Sequence, residues 1–396
     1  MITIEEARDI VRSKIRKLGT EEVRLGVCVG RVLAEDVKAD LDLPPFDRSQ
    51  MDGYAVISTD TSEAPVTLDL IGESAAGRGW DGVLERGQTV KTMTGARVPK
   101  GADAVQQIEL AEANGSSVTI LESAKAGKNI VKTGAEIREG EIVIPAGERI
   151  TRAMVASLAA FGYSSVKAAR SPRLAILSTG SEIVDVSEKP GPDQIRNSNS
   201  AMLSAFASDL ADVSVLPIAP DDPEGLRTSI SKALDQCDFL VISGGVSVGD
   251  YDFTKPVLKD LGAEIHFEKI ALKPGKPTVF ATSKDKCVFG LPGNPVSIAV
   301  TFLVFVRTAL LLAQGASDPE LRSGFAEVTH DIKGAKGRHG LLPVKTGFRE
   351  DGRMIVESLK FSGSSNFVTF ASADAIASVP ADSGLRKGDT AEVYFF

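Results

Sequence analysis

The chain has few of the residues on which many common enzyme mechanisms depend. Its 396 residues include three cysteines, three histidines and one tryptophan. The cysteines Cys28, Cys237 and Cys287 stand far apart and form no Cys-x-x-Cys pair, which indicates a reducing compartment and no disulfide framework. The scarcity of histidine argues against a zinc site and against catalysis by a serine–histidine or cysteine–histidine pair.

An excess of positive charge is also absent. Lysine and arginine number 45 against 53 acidic residues, so the formal net charge is −8. This charge argues against general binding to nucleic acid or to a membrane surface. An anionic ligand would therefore need a local basic site. The length favours two to four domains with ample hydrophobic core.

Long hydrophobic runs are nearly absent as well. The first residues lack an apolar secretory core, so we expect no signal peptide. Only the segment from Val296 to Ala313 approaches the length of a membrane span. Because Arg307 lies inside it and Pro295 just before it, we interpret it as a buried helix packed on a sheet. The expectation is a cytoplasmic protein with no membrane partner.

The first 170 residues combine a helix, an irregular stretch and a mainly β region. Residues 3–18 have the apolar spacing of an amphipathic helix, with Thr3 as its N-cap. Residues 43–56 are dense in proline, acids and aromatics, which is unusual for a mere connection. Short apolar runs between turn residues then predict strands within 65–146, and a helix is expected from about 151 to 161.

From residue 172 the pattern becomes strand, loop, helix. Such alternation predicts a parallel sheet covered by helices. The predicted strands are 174–177, 213–218, 239–242, 264–267, 278–281 and 287–290. The predicted helices are 200–210, one opening at Pro223, 255–261 and one from 295. After about 320 the pattern is β again, with a hairpin signal at Asp351-Gly352 and a final strand within 386–396.

A glycine-rich loop follows the apolar strand 239–242. Gly244 and Gly245 would let the backbone approach an anion closely, so that successive N–H groups cradle it. Asp250 or Asp252 would then hold a hard cation beside that anion. The alternative is a loop that merely closes a strand, because glycine loops alone are weak signals.

The loop at 243–252 is one of four that we predict after strands of the α/β region. They are Ser178–Glu182, Ser243–Asp252, Lys273–Pro277 and Gly290–Pro295. Several should meet at one edge of a doubly wound sheet. Lys273 and Lys276 supply two cations, Glu182 and Asp252 supply carboxylates, and the helix from Pro295 presents its N-terminus to anions. Together they predict a site for a phosphorylated or oxyanionic ligand with Mg²⁺.

Six motifs occur in a fixed order along most of the chain. They are Pro44–Ala55, Met93–Ala96, Ser178–Glu182, Ser243–Asp252, Lys273–Pro277 and Leu291–Ser297. Jointly they resemble the molybdopterin molybdenumtransferases, the family of the MoeA proteins and of the E-domain of gephyrin.

The resemblance implies a multi-domain fold of α/β plus β. A central doubly wound molybdopterin-binding α/β domain would occupy 171–318, and a small C-terminal β-barrel would occupy 319–396. The N-terminal region, 1–170, would form two intertwined subdomains, the mainly β one at about 54–140. A homodimer is also implied, with the active site between the α/β domain of one subunit and N-terminal loops of the other.

The implied activity is that of a transferase in molybdenum cofactor biosynthesis. Adenylylated molybdopterin and molybdate would be the substrates, and the molybdenum cofactor and AMP the products, with Mg²⁺ as the metal. Implied macromolecular partners are other proteins of molybdenum cofactor biosynthesis and apo-molybdoenzymes.

Residue roles follow from the same resemblance. The catalytic set would be Asp52, Thr94, Glu182 and Asp252, with Asp52 and Thr94 positioning the substrates. Mg²⁺ would be held by Glu182 and Asp252, with Asp221 or Asp222 nearby. The residues implied in binding substrate are Ser178, Thr179, Gly180, Ser243, Gly244, Gly245, Ser247, Asp250, Lys273, Lys276, Pro292, Gly293, Pro295 and Ser364.

The chain departs from the family pattern in two places. In the segment 131–136, Lys132 is the only cation where the family often carries arginine, and Glu136 stands in place of aspartate. In the C-terminal motif that begins at Ser364, phenylalanines replace leucines and Ala375 replaces a glycine.

Two other functions are compatible with parts of this pattern. A molybdopterin adenylyltransferase has a similar α/β domain, but typically carries Gly-Gly-Thr-Gly followed by Arg-Asp, where this chain has Gly244-Gly245-Val246-Ser247-Val248-Gly249-Asp250. A non-enzymatic scaffold, as gephyrin is towards receptors, is the second. The presence of the catalytic set speaks against lost catalysis.

Overall fold

The computed structural model describes residues 1–246, 253–359, 363 and 365–396. Over these residues the helices are α1 Ile4–Lys14, α2 Met154–Ala160, α3 Ser198–Ala207, α4 Pro223–Gln236, α5 Thr254–Asp260, α6 Pro295–Thr301, α7 Arg307–Ala313 and α8 Phe367–Phe370. A π-helical turn, Phe302–Val306, joins α6 to α7, and three 3₁₀ turns lie at Leu25–Val27, Ser58–Thr61 and Ile108–Leu110.

The strands of the same residues, in chain order, are β1 Thr20–Arg24, β2 Val37–Lys38, β3 Arg48–Ser49, β4 Gly53–Val56, β5 Val66–Ser74, β6 Gln88–Thr92, β7 Ala104–Gln107, β8 Ala111–Asn114, β9 Ser117–Ile120, β10 Ile130–Val131, β11 Ile142–Ile144, β12 Ser165–Ala169, β13 Arg173–Ser178, β14 Ile183–Val184, β15 Ile195–Arg196, β16 Asp212–Val215, β17 Phe239–Ser243, β18 Glu264–Phe267, β19 Leu272–Lys273, β20 Val279–Ser283, β21 Lys286–Leu291, β22 Ser323–Val328, β23 His339–Phe348, β24 Met354–Ser358, β25 Ala375–Val379 and β26 Thr390–Phe395.

The chain forms two compact units. The first comprises Met1–Glu35, Ala146–Arg152 and Ser165–Phe396, and the second comprises Asp36–Pro145 and Ala153–Ser164. The chain therefore passes from one unit to the other more than once. The finer domain boundaries at 170 and 318 stay a prediction.

The first unit contains the expected α/β sheet, in the order β16-β13-β17-β21-β20-β18. Strands β16, β13, β17 and β21 are parallel to their neighbours in that series, as predicted. The prediction of a parallel sheet is wrong for β20, which runs antiparallel to both of its neighbours, β21 and β18. The cause is a tight turn between β20 and β21, where Lys284 has φ of 56°. A connection that short cannot make a parallel crossover.

Helices cover both faces of this sheet, which makes it doubly wound. Alternate residues of β17 point to opposite sides, since Phe239 and Val241 join one core while Leu240 and Ile242 join the other. The first core contains residues of α1, α3 and the helical run 295–313. The second contains residues of α4 and α5. This burial explains why the strand reads as an unbroken apolar run.

The helical run Pro295–Ala313 has the length and apolar composition of a membrane span. The structure buries 89% of its most apolar window inside the protein. Phe302, Phe305 and Leu310 within it are fully buried members of the first core. The interpretation as a core helix packed on the sheet is consistent with this burial.

A capping box fixes the N-terminus of α1. The Thr3 hydroxyl accepts a hydrogen bond from the Glu6 amide at 3.1 Å, and the Glu6 carboxylate accepts one from the Thr3 amide at 2.8 Å. Both ends of this reciprocal contact satisfy amides that the helix leaves without partners. Thr3 is thus the N-cap, as predicted, although the helix ends at Lys14 because Ile15 is extended.

A small barrel follows the α/β sheet in the same unit. Its strands pair in the order β23-β24-β22-β26-β25, and β25 pairs back to β23, which closes the ring. The predicted hairpin around Asp351-Gly352 joins β23 to β24. Valine and alanine side chains fill the interior, among them Val328, Val344 and Val393. The predicted C-terminal barrel is confirmed.

The second unit is mainly β. Its largest sheet has the order β7-β4-β6-β5-β9-β8. Tyr54, Val56, Leu68, Val118 and Ile120 form the principal core of that sheet. The prediction of strands within 65–146 is confirmed by β5 to β9 and by β10 and β11.

Candidate active site

Three of the predicted loops leave the same edge of the α/β sheet. Strand β13 ends at Ser178 and β17 at Ser243, and Ser243 stands opposite both Ser178 and Leu291 of β21. The chain moves from β13 to β16 on one side and to β17 on the other, so the strand order reverses between β13 and β17. Ligands of open α/β sheets bind at such a reversal, beyond the carboxyl ends of the strands.

The backbones of these loops touch. The Thr179 amide donates to the Ser243 carbonyl at 3.1 Å, and the Gly244 amide donates to the Leu291 carbonyl at 3.2 Å. Gly244 has φ of 93°, and a Cβ there would lie 3.0 Å from the Thr179 carbonyl oxygen. A Cβ on Gly293 would lie 3.8 Å from the Gly244 Cα. The glycine at 244 therefore permits three loops to converge.

The second glycine of the turn is constrained from the other side. Gly245 has φ of 62°, and a Cβ there would lie 2.7 Å from the hydroxyl oxygen of Thr254. Thr254 begins α5 and is fully buried. Its hydroxyl oxygen has no hydrogen-bond partner among the described residues.

The Ser178 hydroxyl is committed to the start of α3. It donates to the Asn197 side-chain oxygen at 3.1 Å and lies 2.8 Å from the Ser200 hydroxyl. Asn197 is the N-cap of α3 and accepts from the Ser200 amide at 3.1 Å. The Ser178 side chain thus fixes this helix against the end of β13.

Asn199, on the first turn of α3, bridges two of the three loops. Its side-chain amide nitrogen donates to the Ser243 hydroxyl at 3.1 Å and to the Gly293 carbonyl at 2.7 Å. The start of α3 is therefore part of the same constellation as the strand-end loops.

The predicted acidic residues are placed unequally. The Glu182 carboxylate folds back over Gly180, where a Cβ would meet its oxygens at 2.5 and 2.8 Å. Asp222 is the N-cap of α4 and accepts from the amides of Glu224 and Gly225 at 3.1 and 2.8 Å. Asp221 is exposed beside it. Asp250, Asp252, Ser247 and Ser364 lie outside the described residues.

No group of three histidine, cysteine or acidic side chains within the described ranges is arranged to hold a metal ion. The predicted Mg²⁺ ligands include Asp252, which lies outside those ranges. The metal assignment therefore stays a prediction.

The lysine loop is held by its central glycine. Gly275 has φ of 116°, and a Cβ there would lie 2.6 Å from the Thr301 Cγ2. Lys273 and Lys276 on either side are exposed, and neither forms an ion pair with a described residue. The loop therefore presents two cations that no described carboxylate neutralises.

A short strand that was not predicted, β19, lies directly before the lysine loop and does not belong to the α/β sheet. Strand β19 pairs in parallel with β23, with Leu272 opposite His339 and Lys273 opposite Gly340. Through Gly275 the loop packs on Thr301, about 9 Å along the helix axis from Pro295. The lysines thus stand where the barrel joins the α/β layer.

The second unit brings Asp52 and Thr94 together. One Asp52 carboxylate oxygen accepts from both the Thr94 amide and the Thr94 hydroxyl, each at 2.7 Å. These two bonds, with the charge of Lys91, lower the pKa of Asp52 below its ordinary value. The next residue, Gly53, has to be glycine because a Cβ there would lie 2.0 Å from the Gln106 carbonyl oxygen.

Lys132, the cation at the divergent 131–136 turn, is paired. Its ammonium group lies 2.7 Å from the Asp47 carboxylate, which also accepts from the Thr133 amide and hydroxyl at 3.0 and 3.1 Å. Burial raises the pKa of Asp47, but these contacts outweigh it and the net pKa is lowered. Glu136 stands 3.6 Å from Arg48.

Family comparisons cover almost the whole chain. Residues 2–162 match the MoeA N-terminal region (domains I and II), 175–312 match a probable molybdopterin-binding domain, and 326–396 match the MoeA C-terminal region (domain IV). The chain belongs to the MoeA family.

Relatives and solved structures agree with this assignment. A Bacillus subtilis protein named molybdopterin molybdenumtransferase is 36% identical, over 94% of this chain and 89% of its own length. A protein of the same name from Haemophilus influenzae is 33% identical, over 99% and 98%. Two structures of MoeA molybdopterin biosynthesis proteins from Pyrococcus horikoshii superpose with TM-scores of 0.83 and 0.87, at 35% and 30% identity, and cover this chain completely.

Sequence reasoning missed the start of α3 in this MoeA-family chain. It began the predicted helix at Ser200, whereas α3 begins at Ser198 with Asn197 as N-cap. The signal was the run Asn197-Ser198-Asn199-Ser200, in which every residue favours a helix start. Asn199 was not named because a contact to loops more than 40 residues away leaves no local pattern.

In the barrel of the MoeA-family chain, part of the C-terminal motif has a clear structural role. The Asn366 side chain accepts from the Thr369 amide at 3.1 Å and so caps the short helix α8. Asp374 accepts from the Thr346 amide at 2.8 Å and lies 2.7 Å from the Lys345 ammonium group. Burial raises the pKa of Asp374, but these partners outweigh it and the net pKa is lowered.

Proposed function

We propose that this chain inserts molybdenum into adenylylated molybdopterin, with molybdate as the second substrate and AMP as the released product. One observation carries the proposal. The chain matches, over nearly the full length of both sequences, relatives named molybdopterin molybdenumtransferase. The match includes the N-terminal and barrel regions, which an α/β domain alone would not require.

The strand-end loops supply the means to hold a phosphorylated pterin. The backbones of Thr179, Gly244 and Gly293 approach one another closely at the end of the sheet. The Thr179 and Gly244 amides already donate to carbonyls, so in this proposal the amides that follow Gly244 in the glycine turn cradle the phosphate oxygens. We assign this constellation to the diphosphate of the adenylylated substrate.

The lysine loop supplies the means to hold the oxyanion. The chain is acidic overall, so attraction for molybdate must come from nearby cations. Lys273 and Lys276 project from a loop fixed by Gly275 against Thr301. Their ammonium groups act as point charges, and such groups bind oxyanions without a fixed fork geometry.

The residues present are compatible with Mg²⁺. This ion is usually held by one or two carboxylates plus substrate phosphates rather than by an all-protein cage. The Glu182 carboxylate, which folds over Gly180, lies beside the strand-end loops. We propose Glu182 and Asp252, with Asp221 or Asp222, as its ligands. When bound, it would neutralise charge on the phosphoanhydride.

Asp52 and Thr94 act by positioning in this proposal. Two hydrogen bonds fix the Asp52 carboxylate on Thr94 and keep it ionised, so its charge and direction are set before substrate arrives. Pre-set geometry of this kind lowers a barrier without a covalent step. A cytoplasmic homodimer that serves other cofactor-biosynthesis proteins and apo-molybdoenzymes completes the proposal. Light scattering together with activity tests the dimer, and a fully active monomer would refute it.

The decisive experiment is oxyanion-triggered cleavage. Purified protein with adenylylated molybdopterin and Mg²⁺ should release AMP only after molybdate, or tungstate, is added. The physical reason is that a site built from positioned charges needs both anionic partners before it is complete. AMP release at the same rate without oxyanion would identify a hydrolase instead. Pyrophosphate release from ATP would favour the adenylyltransferase.

A further inference from the structure

Asn199 makes two side-chain hydrogen bonds that join two of the strand-end loops. Its amide nitrogen donates to the Ser243 hydroxyl at 3.1 Å and to the Gly293 carbonyl at 2.7 Å. Ser243 ends β17 and opens the glycine turn, whereas Gly293 lies between β21 and the long helix. One planar group therefore spans the gap between the two segments.

The orientation of this amide is fixed by its partners. The Gly293 carbonyl oxygen can only accept, so the nitrogen of Asn199 must face it. The same nitrogen then has its second hydrogen for Ser243. Two donors on one short side chain are available from asparagine but not from serine, threonine or aspartate. The chemistry of the bridge therefore specifies asparagine.

The remaining atom of the amide argues against a purely stabilising role. The Asn199 side-chain oxygen is buried and has no partner among the described residues. Burial of an acceptor without a partner is unfavourable, by an amount comparable to a lost hydrogen bond. Such unpaired groups call for a functional reason.

A second unpaired polar atom flanks the same turn. The Thr254 hydroxyl oxygen is also buried without a partner, and it stands where a Cβ on Gly245 would be 2.7 Å away. The turn Ser243–Gly245 thus lies between Asn199 on one side and Thr254 on the other. Both unpaired atoms border the turn that the proposed function assigns to the diphosphate.

We propose that Asn199 is a positioning residue, which holds the Ser243 turn and the Gly293 turn at the separation required by the phosphorylated substrate. The proposal rests on the proposed function for its substrate and on the two hydrogen bonds for its geometry. Asn199 acts through the two loops, and displacement of reacting groups by about 1 Å can lower a rate about a hundredfold.

The test compares three substitutions of one residue. Asn199→Asp keeps the size but removes both donors and places a carboxylate against the Gly293 carbonyl. Asn199→Ala removes the bridge, and Asn199→Ser retains one donor. The expected order of kcat for AMP release is wild type, then Ser, then Ala, with Asp lowest and about 10- to 100-fold below wild type. KM for molybdate should change less than threefold, because the lysine loop is not touched.

Gln314→Ala is the matched control. Its side-chain amide also donates to two carbonyls, those of Leu210 and Leu310 at 3.0 and 3.1 Å, and it is buried at the end of α7. This variant should lower the melting temperature at least as much as Asn199→Ala and leave kcat within twofold below its melting transition. A stability effect is thereby separated from a positioning effect.

Hydrogen exchange provides a readout that does not depend on turnover. Amides in peptides covering 286–297 should exchange faster in Asn199→Asp than in wild type, while peptides from the barrel remain unchanged. If the wild type shows no oxyanion-dependent AMP release, the proposed function fails, and faster exchange still supports the bridge. An active wild type with an Asp variant within twofold in kcat, or unchanged exchange in 286–297, would overturn the inference.

Discussion

Substitution of Gly275 by alanine should displace both loop lysines without removing either charge. Gly275 has φ of 116°, a region that L side chains rarely adopt. The added Cβ would also lie 2.6 Å from the Thr301 Cγ2, well inside van der Waals contact. Thr301 is fully buried on the core helix and cannot swing away, because its hydroxyl donates to the Ser297 and Ile298 carbonyls at 2.9 and 3.1 Å.

Two separate penalties set the expected magnitude. Backbone held in a sparsely populated region costs about 1–3 kcal/mol. Overpacking of a filled core by one methyl group costs about 1–3 kcal/mol. The free energy of unfolding of the first unit should therefore fall by about 2–6 kcal/mol. The loop can relieve part of this only by lifting from the helix, which re-aims Lys273 and Lys276.

A second substitution separates the two penalties. Thr301→Ser deletes the Cγ2 that clashes and keeps the hydroxyl with its two hydrogen bonds. In the Gly275→Ala background it should restore about 1–3 kcal/mol, although alone it costs about 1 kcal/mol for the lost methyl. The two changes should therefore be non-additive in a double-mutant cycle.

Urea unfolding followed by circular dichroism measures the stabilities, and titration with molybdate measures the apparent oxyanion affinity. We expect Gly275→Ala to lower that affinity at least tenfold, with partial recovery in the double variant. Additive stabilities would show that Thr301 does not limit the loop. Unchanged molybdate affinity in a destabilised Gly275→Ala would show that the loop does not place the lysines for oxyanion binding.

Three further predictions test other parts of the site and fold. Asp52→Asn should lower kcat at least tenfold with little change in melting temperature, since the carboxylate is exposed and the asparagine oxygen can still accept from Thr94. Turnover equal to that of the wild type would show that the Asp52 charge has no role in the reaction. Lys273→Ala and Lys276→Ala should weaken apparent affinity for molybdate more than affinity for the adenylylated pterin, measured by separate titrations, and the reverse order would move the lysines to the pterin phosphate. Burial raises the pKa of Asp238, but hydrogen bonds from two arginines outweigh this effect, and the net pKa is well below the ordinary range. The ionised Asp238 therefore stabilises the folded state above about pH 4, and this contribution is lost as the pH falls below that value. Asp238→Asn should therefore cost about 3 kcal/mol at pH 7 and progressively less in acid, as measured by unfolding at several pH values, and a constant difference would contradict the ion-pair explanation.

The strands of the α/β sheet were predictable because their apolar runs are local features of the sequence. The run 239–242 is continuously apolar, and both faces of that strand are indeed covered. The reversed direction of β20 was not predictable in this way. Strand direction depends on the length and course of the connection, and residues 282–286 carry no strong hairpin signal that marks the tight turn at Lys284.

Strand β19 was missed altogether for a related reason. This strand has only two residues, and its partner His339 lies far along the sequence. A strand that short has no periodicity to read. The strands on either side of it in the sequence, 264–267 and 279–283, do lie in the α/β sheet. Position in the sequence alone would therefore place β19 in that sheet rather than with the barrel.

The candidate site was predictable as a set of loops but not as a set of contacts. Glycines and lysines that follow predicted strands can be recognised in the sequence, and the resemblance to the family pointed to Asp52 and Thr94. The bond between those two residues, and the bridge from Asn199 to Ser243 and Gly293, join segments about 40 to 95 residues apart. Side-chain hydrogen bonds of that kind depend on the assembled fold.

The cations of this acidic chain differ in whether their charge is already neutralised. Lys132 stands where the family often carries arginine, and its ammonium group lies 2.7 Å from the Asp47 carboxylate. That carboxylate is fixed by the Thr133 amide and hydroxyl as well, so the pair is a closed structural unit. Lys273 and Lys276 have no such partner in the described part of the chain, and their loop is stiffened by the close approach of Gly275 to Thr301. A cation paired with a carboxylate offers an arriving oxyanion little net attraction, whereas two unpaired cations on a fixed loop offer most of theirs. The difference favours the lysine loop over Lys132 as the proposed oxyanion site, and Lys132 instead holds the divergent turn through Asp47.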